Sequence, residues 1–508
     1  MVKRLLALIL CLPLVLCACQ PPPKIAPPSS EMGESVVDAF ACEEDSSMIE
    51  EISSEETSSE LPSEEPSSIA PSSQAASSKL KAVSSKAASS KAASSKPTPA
   101  PTNVIIPNKE LKGAWLAFYE LDYRGKTKNQ FILDITDKFK RMRDFGLNAV
   151  FVHVRSHGDA FYESKYFPWT VYFADSKPGK QGSAPGYDPL ALMVTIAHEV
   201  GLELHAWINP YRVVMTGTVA NLDTLSDNNP AKKWLAEGTD DVLRCTNGTG
   251  LYYNPASKRA RELALNGIKE ILDKYAVDGI HFDDYFYPDY SPDFDKTAYE
   301  RYKKDPANFF GVDFSKDRYK KCIDDGATYK TLTLQQFRRT CVSLLVADIY
   351  AAVKVKSSQL VFGISPAANI NNNVNNMGLD VKKFASVEGF VDYMMPQLYF
   401  GFEYPNPKYS FTSYLDDWLA INTNKNIALY VGLAFYKAGG LQGDQTPANK
   451  AEWESKRDII KRQVEHLRAT HKTHSQLNGF VFFEYSALLN DPREAYLTER
   501  ANVAPLLK

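Results

Sequence analysis

A parallel α/β barrel of eight strand-helix units, the (β/α)8 TIM type, is the fold class predicted for residues 106–508 of this chain. Three observations predict it. Short apolar, β-rich runs alternate with amphipathic helical stretches from Lys112 onward, as a parallel sheet with crossover helices requires. The runs number eight, the count at which such a sheet closes on itself. Five of them end in a burst of polar and aromatic side chains, at the strand ends where barrels of this type gather their chemistry. The competing architecture is an open doubly wound sheet, which would collect ligands at one switch point and not after most strands.

In chain order the expected strands are 113–118, 149–154, 202–208, 279–283, 360–364, 391–398, 427–433 and 479–483. Helical patterns are expected between them, among others over 130–145, 189–200 and 258–275. The stretch 291–338, rich in Lys, Asp and Tyr, reads as a long insertion between the fourth and fifth strands, either a lid or padding.

Ahead of the barrel the composition changes. Met1-Val2-Lys3-Arg4 is basic and an apolar run follows to Leu16, the layout of a secretory signal and too short to span a bilayer. The run ends in Leu16-Cys17-Ala18-Cys19, similar to a bacterial lipobox, with Cys19 the better acceptor because Leu16 before Cys17 is bulky. Residues 1–18 are therefore expected to be a lipoprotein signal and Cys19 to carry lipid, placing the protein at the outer side of the cell membrane. An ordinary cleaved signal with spare cysteines is the alternative. Residues 19–105 run through PPPKIAPPSS, acidic stretches at Glu43-Glu44-Asp45 and Glu64-Glu65, and SSKAASSKAASSK. They offer too little apolar surface to offset ordering entropy, so a disordered linker is expected. As a flexible coil it would reach on the order of 50 Å.

The remaining cysteines, Cys42, Cys245, Cys322 and Cys341, have neither CxxC nor metal-ligand spacing, so no zinc site, disulfide framework or cofactor is indicated. A net charge of -3 supplies no electrostatic case for nucleic acid. A monomer is expected. Motifs for serine hydrolases, NTPases, dinucleotide enzymes and zincins are absent from the sequence.

The richest motif is Asp278-Gly279-Ile280-His281-Phe282-Asp283-Asp284-Tyr285-Phe286-Tyr287-Pro288. Strand alternation puts His281, Asp283 and Tyr285 on one face and Asp284 on the other, which favours Asp283 as the acid in the barrel mouth. Adjacent carboxyls among aromatics suit sugar chemistry, where rings stack on pyranose faces and acids move protons; capping a following helix is the bland alternative. Glycoside hydrolysis usually takes two carboxyl groups. Asp284 and Glu484 are candidates for the second, with Glu120 and Glu403 behind them. Trp207, Asn209, Tyr211 and Arg212 read as a substrate wall, with Trp207 and Tyr285 and Tyr287 as stacking platforms. His205 shares Trp207's face and is given a binding role, as are Gln397 and Tyr399. Arg155 is either a ligand contact or the partner of Asp159. A metal held by His281, Asp283 and Asp284 is disfavoured because two of these should face apart.

Taken together these motifs bring a family into view. From Lys112 to about Leu488 the chain resembles the bacterial glycosyl-hydrolase-like family 10 lipoproteins. The resemblance rests on Gly113-Ala-Trp115, Asn148 through Arg155, Gly158-Asp159-Ala, Tyr166-Phe-Pro-Trp169, Pro185-Gly-Tyr-Asp-Pro189 and Leu204 through Arg212. It continues in Tyr253-Asn254-Pro255, the Asp278–Pro288 motif, Gly363-Ile-Ser-Pro366 and Pro396-Gln-Leu-Tyr399. It implies a TIM-type barrel and action on envelope glycan, in particular peptidoglycan strands stripped of their peptides, with Asp283 and Asp284 as the catalytic carboxyls. The chain departs from the pattern at Glu484, where relatives tend to carry Ser, and after Gly363-Ile-Ser-Pro366, where Ala-Ala-Asn369 and an Asn-rich stretch replace a Trp-containing loop. An extracytoplasmic glycoside hydrolase is the expectation. A glycan-binding lipoprotein without turnover, and a metal-dependent envelope amidase or deacetylase, compete with it.

Overall fold

The computed structural model describes residues 109–173, 180–324, 326–441 and 447–508. The expected signal, the Cys19 lipid site and the linker lie outside the described residues. Among those described, no helix is long and apolar enough to cross a membrane.

Eight parallel strands close into a barrel in the sequential order β1 to β8, with β1 paired to both β2 and β8. The strands are β1 Leu111–Leu116, β2 Ala149–Arg155, β3 Glu203–Ile208, β4 Gly279–Phe282, β5 Val361–Ile364, β6 Tyr393–Met394, β7 Ala428–Ala434 and β8 Leu477–Phe483. Each overlaps one of the expected runs. The largest difference is β6, two residues long where eight were expected. Pro396 has no N–H to give the ladder, and beyond Met394 the pairing thins to the Met395 N–H on the Ile364 carbonyl and single bridges from Gln397 to Ala367 and Gly432.

The outer layer contains α1 Lys128–Phe145, α2 Pro189–Val200, α3 Lys258–Lys274, α4 Leu334–Lys356, α5 Phe411–Ile421, α6 Ile459–His471 and α7 Glu494–Leu507. Local chemistry sets their ends. Thr127 accepts from the Gln130 N–H at the start of α1, and Asp188 does the same for Ala191 ahead of Pro189 in α2. Gly146 ends α1 in the left-handed region at φ 103°, where a side chain would also collide with Leu507.

The barrel interior is filled with rings in place of the usual branched aliphatics. The Trp115 indole N–H donates to His281 Nε2 at 3.1 Å, and His281 Nδ1 meets the Tyr393 hydroxyl at 2.9 Å. Phe151 stacks on His205 with centroids 4.5 Å apart. Room for such side chains comes from glycines on the neighbouring strands: a Cβ at Gly363 would run into the Tyr393 ring, and one at Gly279 into His205 and Val361.

Two additions lie outside the barrel. After β3 a small antiparallel sheet forms from residues Arg212–Val214, Val242–Leu243 and Leu251–Tyr253, which the strand pattern did not reveal because its members are two or three residues long. The insertion after β4 folds around its own aromatic cluster of Tyr302, Phe309, Phe310 and Phe337. The buried Arg338–Asp295 pair, at 2.6 Å, pins it to α4, so it is packed structure and not padding.

Candidate active site

The chain leaves β4 at Phe282, one residue before the two acids. Strand alternation therefore ceases to govern them, and both Asp283 and Asp284 line one recess at the C-terminal mouth of the barrel. The expectation that they face apart is corrected by this early strand end. The other walls are Trp115, Trp207, Tyr285, Ser365, Gln397, Tyr399, Tyr436 and Phe483, drawn from the ends of β1, β3, β4, β5, β6, β7 and β8. The recess is narrow, about 20 Å³ for the centre of a water-sized sphere. A roomier hollow of about 1080 Å³ lies in the insertion around Val312 and Tyr329, on walls that contain none of the recess residues.

Asp283 is 3 % exposed. Its Oδ2 accepts the Trp207 indole N–H at 3.0 Å, and its Oδ1 accepts from Asn209 Nδ2 at 3.2 Å and from the Tyr285 backbone N–H at 3.3 Å. Burial holds its pKa above the usual carboxylate range, and the Arg212 charge together with these donors works against that rise. Asn209 is itself fixed, since its Oδ1 accepts from the backbone N–H of Tyr211 and Arg212. Arg212 donates from Nε to the Ser156 carbonyl at 2.8 Å and lies 4.7 Å above the Tyr285 ring. Asn209 and Arg212 thus orient Asp283 and Tyr285 from behind and do not form an open wall.

Trp207 also changes role. One of its faces is covered by His153, stacked at 3.7 Å and 12°, while its N–H serves Asp283. It is a donor and a wall, not a free platform. Gln397 donates to the Ser365 carbonyl at 3.1 Å. Burial, then the charges of Asp284, Glu484 and Asp283, keep the Tyr399 hydroxyl protonated, so it can donate to an incoming group.

Three expected ligand contacts are not at the recess. His205 is ring-packed against Phe151 one layer below, with Nε2 3.4 Å from Glu203. Arg155 points out of the barrel, over the Phe167 ring at 4.4 Å and beneath Gly267 of α3. The ladder between β2 and β3 slips between His153 and Arg155, and that irregularity turns the arginine outward. Asp159 is not its partner; it accepts from Gln181 at 3.2 Å. Tyr287 is buried beneath the Arg338 guanidinium, 5.0 Å from its ring, and packs on Phe294.

Glu484 follows Phe483, a recess wall, but accepts the Tyr119 hydroxyl behind that wall. Burial raises its pKa to about 7. Beside it Glu120 accepts the backbone N–H groups of Ala117 and Ser486, each at 2.7 Å. Burial and then the Glu484 charge push Glu120 well above the ordinary range. Glu403 is exposed and does not line the recess. Sequence reasoning missed Trp115, Ser365, Tyr436 and Phe483 as walls; the first two stand in the Gly113-Ala-Trp115 and Gly363-Ile-Ser-Pro366 motifs, which was the available signal. Among the described residues no group of three His, Cys, Asp or Glu could hold a metal ion. His281 has both ring nitrogens engaged within the barrel.

Residues 110–449 match the model of the glycosyl hydrolase-like 10 family. The chain belongs to that family. The match runs from β1 through β7 and contains both recess acids, while Glu484, just after β8, lies beyond it. Among curated relatives of this glycosyl hydrolase-like 10 chain, glycosyl hydrolase YngK of Bacillus subtilis is 33% identical over 360 residues, covering 65% of this chain and 61% of its own length. Glycosyl hydrolase DigH of Escherichia coli K12 is 28% identical over 362 residues, covering 65% of this chain and 74% of the relative. The chain thus spans about three-fifths of the length of the Bacillus relative. Among solved structures, the catalytic domain of beta-amylase from Paenibacillus polymyxa shares 12% identity at a TM-score of 0.46, over 78% of this chain and 98% of that one. At that level of likeness nothing about the site follows from it.

Proposed function

We propose that this chain is a glycoside hydrolase acting outside the cytoplasm on cell-wall polysaccharide, with peptide-free peptidoglycan strands as its substrate. The observation that carries this reading is the opening of two adjacent carboxyls, Asp283 and Asp284, into one aromatic-walled recess at the mouth of a TIM barrel. Glycosidic cleavage passes through an oxocarbenium-like state, which a carboxylate stabilises and a carboxylic acid helps to form by protonating the leaving oxygen. Trp207, Asn209 and the Tyr285 N–H hold Asp283 in place for the first task. Asp284, half-buried at the rim, is placed for the second. The substrate class and the location are supported by family membership and by the signal and lipobox pattern ending at Cys19. In this reading Cys19 anchors the protein in the cell membrane, facing outward, and the protein works as a monomer.

Mass spectrometry of products released from peptide-free and peptide-bearing murein tests the reading. Cleavage of the peptide-free strands is expected. Glycan bound but left uncut by the wild-type chain would replace hydrolysis with a glycan-binding role.

A further inference from the structure

Resting on the hydrolase reading, a finer question is which group attacks the anomeric carbon. The recess itself constrains the answer. Only about 20 Å³ is open to the centre of a water-sized sphere, a narrow space that suits a substituent of a sugar ring better than the ring itself. In this reading the ring rests at the rim with a substituent inserted.

The recess polar groups specify that substituent. An ionised carboxylate has about four lone-pair sites, and Asp283 already accepts three hydrogen bonds. One acceptor site is left to face an incoming N–H. The Tyr399 hydroxyl, kept protonated by burial and then by its carboxyl neighbours, can donate to a carbonyl oxygen. Trp115, Trp207, Tyr436 and Phe483 surround these two with apolar ring surface, where a methyl group gains from burial. A methyl, an N–H and a carbonyl together make an acetamido group. Among the described residues, Asp283 and Asp284 are the only carboxyls lining the recess. With Asp283 occupied by the amide and Asp284 by the leaving oxygen, the protein has no carboxylate there to form a covalent glycosyl ester.

The geometry points to a pocket for the 2-acetamido group of an amino sugar, with that group's own carbonyl oxygen as the nucleophile. The acetamido oxygen bonds to C1 as the bond from C1 to the leaving oxygen breaks, and Asp284 gives its proton to that oxygen. Asp283 holds the amide N–H and balances the positive charge of the resulting oxazolinium ring. Water then adds to C1 and returns a proton to Asp284, the ring reopens to the acetamide, and the anomeric configuration is retained.

The test uses the full chain and aryl glycosides of acetamido disaccharides carrying acetyl, difluoroacetyl or trifluoroacetyl groups. Fluorination withdraws electrons from the attacking oxygen, so rates are expected to fall with each substitution, and proton NMR should show retained configuration in the first product. A thiazoline analogue of the cyclic intermediate should inhibit competitively. Asp284→Asn should slow glycosides with poor leaving groups about 100-fold or more, slow activated ones less because only the water-addition step then lacks its base, and leave thiazoline binding in place. Rates indifferent to fluorination, an inverted product, or a glycosyl ester trapped on Asp284 would overturn the inference and leave glycoside hydrolysis standing. A full chain that cuts no acetamido glycan would remove the hydrolase reading as well.

Discussion

Two pairs of carboxyls, each with one buried and one half-buried member, sit at the same end of the barrel and do different work. Asp283 and Asp284 open into the recess, and Asp283 is held largely by side-chain donors from β3 and its loop. Glu120 and Glu484 lie behind the Phe483 wall, where Glu120 accepts backbone N–H groups from the loops after β1 and β8. Burial raises carboxyl pKa values in both places. A displaced pKa therefore does not by itself mark a catalytic group. What separates the pairs is access: one faces space a ligand can enter, and the other fastens two loops together so that the wall between them keeps its shape.

Substitutions can break this contrast. The largest effect is expected from Asp283→Asn, with turnover on glycan strands down about 10²–10⁴-fold while the circular dichroism of the folded chain is unchanged; wild-type rates would remove the recess pair from the chemistry. Next comes Trp207→Phe, which keeps a ring but deletes one charge-assisted hydrogen bond, a loss of about 1.5–3 kcal/mol that predicts roughly 10- to 100-fold slower turnover. Because an N–H donor favours the ionised form, its removal should raise the Asp283 pKa and move the acid limb of the pH-rate profile upward. Glu120→Gln should act on stability instead. It replaces one accepting oxygen by an NH2 group facing a backbone donor, costing about 1–3 kcal/mol in denaturant unfolding.

The smallest effect is expected at Glu484. Its folded pKa, about 7, lies above the ordinary value of 4.5, so its contribution to stability is fully present below pH 4.5 and is lost as pH rises through 7. Glu484→Gln should therefore flatten the decline of the melting temperature between pH 5 and 8, by about 2–4 °C, and leave the rate of glycan cleavage nearly unchanged. A loss of turnover as large as that of Asp283→Asn would erase the distinction between the pairs.

Much of this architecture was legible before any coordinates. All eight strands and helices such as α2 follow from apolar periodicity and capping residues, because those signals are local. The acids were legible too, as a carboxyl pair after an apolar run. Side-chain direction was not. Arg155 turns outward because of one irregularity in the β2–β3 ladder, and Asp284 joins Asp283 because β4 stops at Phe282; neither event has a signature in residue type. Trp207 lines the recess, and the carboxylate that takes its N–H is 76 positions away in sequence, a partner no local pattern reveals. Tyr287 looked like a platform for the same reason, its cover being supplied by Arg338 from α4.

The described chain begins at the foot of β1, where Arg468 of α6 clasps Glu110 at 2.8 Å and the Lys112 amine donates to the Leu507 carbonyl at the end of α7. The recess opens at the opposite rim. Anything fastened through the residues before Lys109 therefore holds the domain by its base, and the acids face away from the point of attachment.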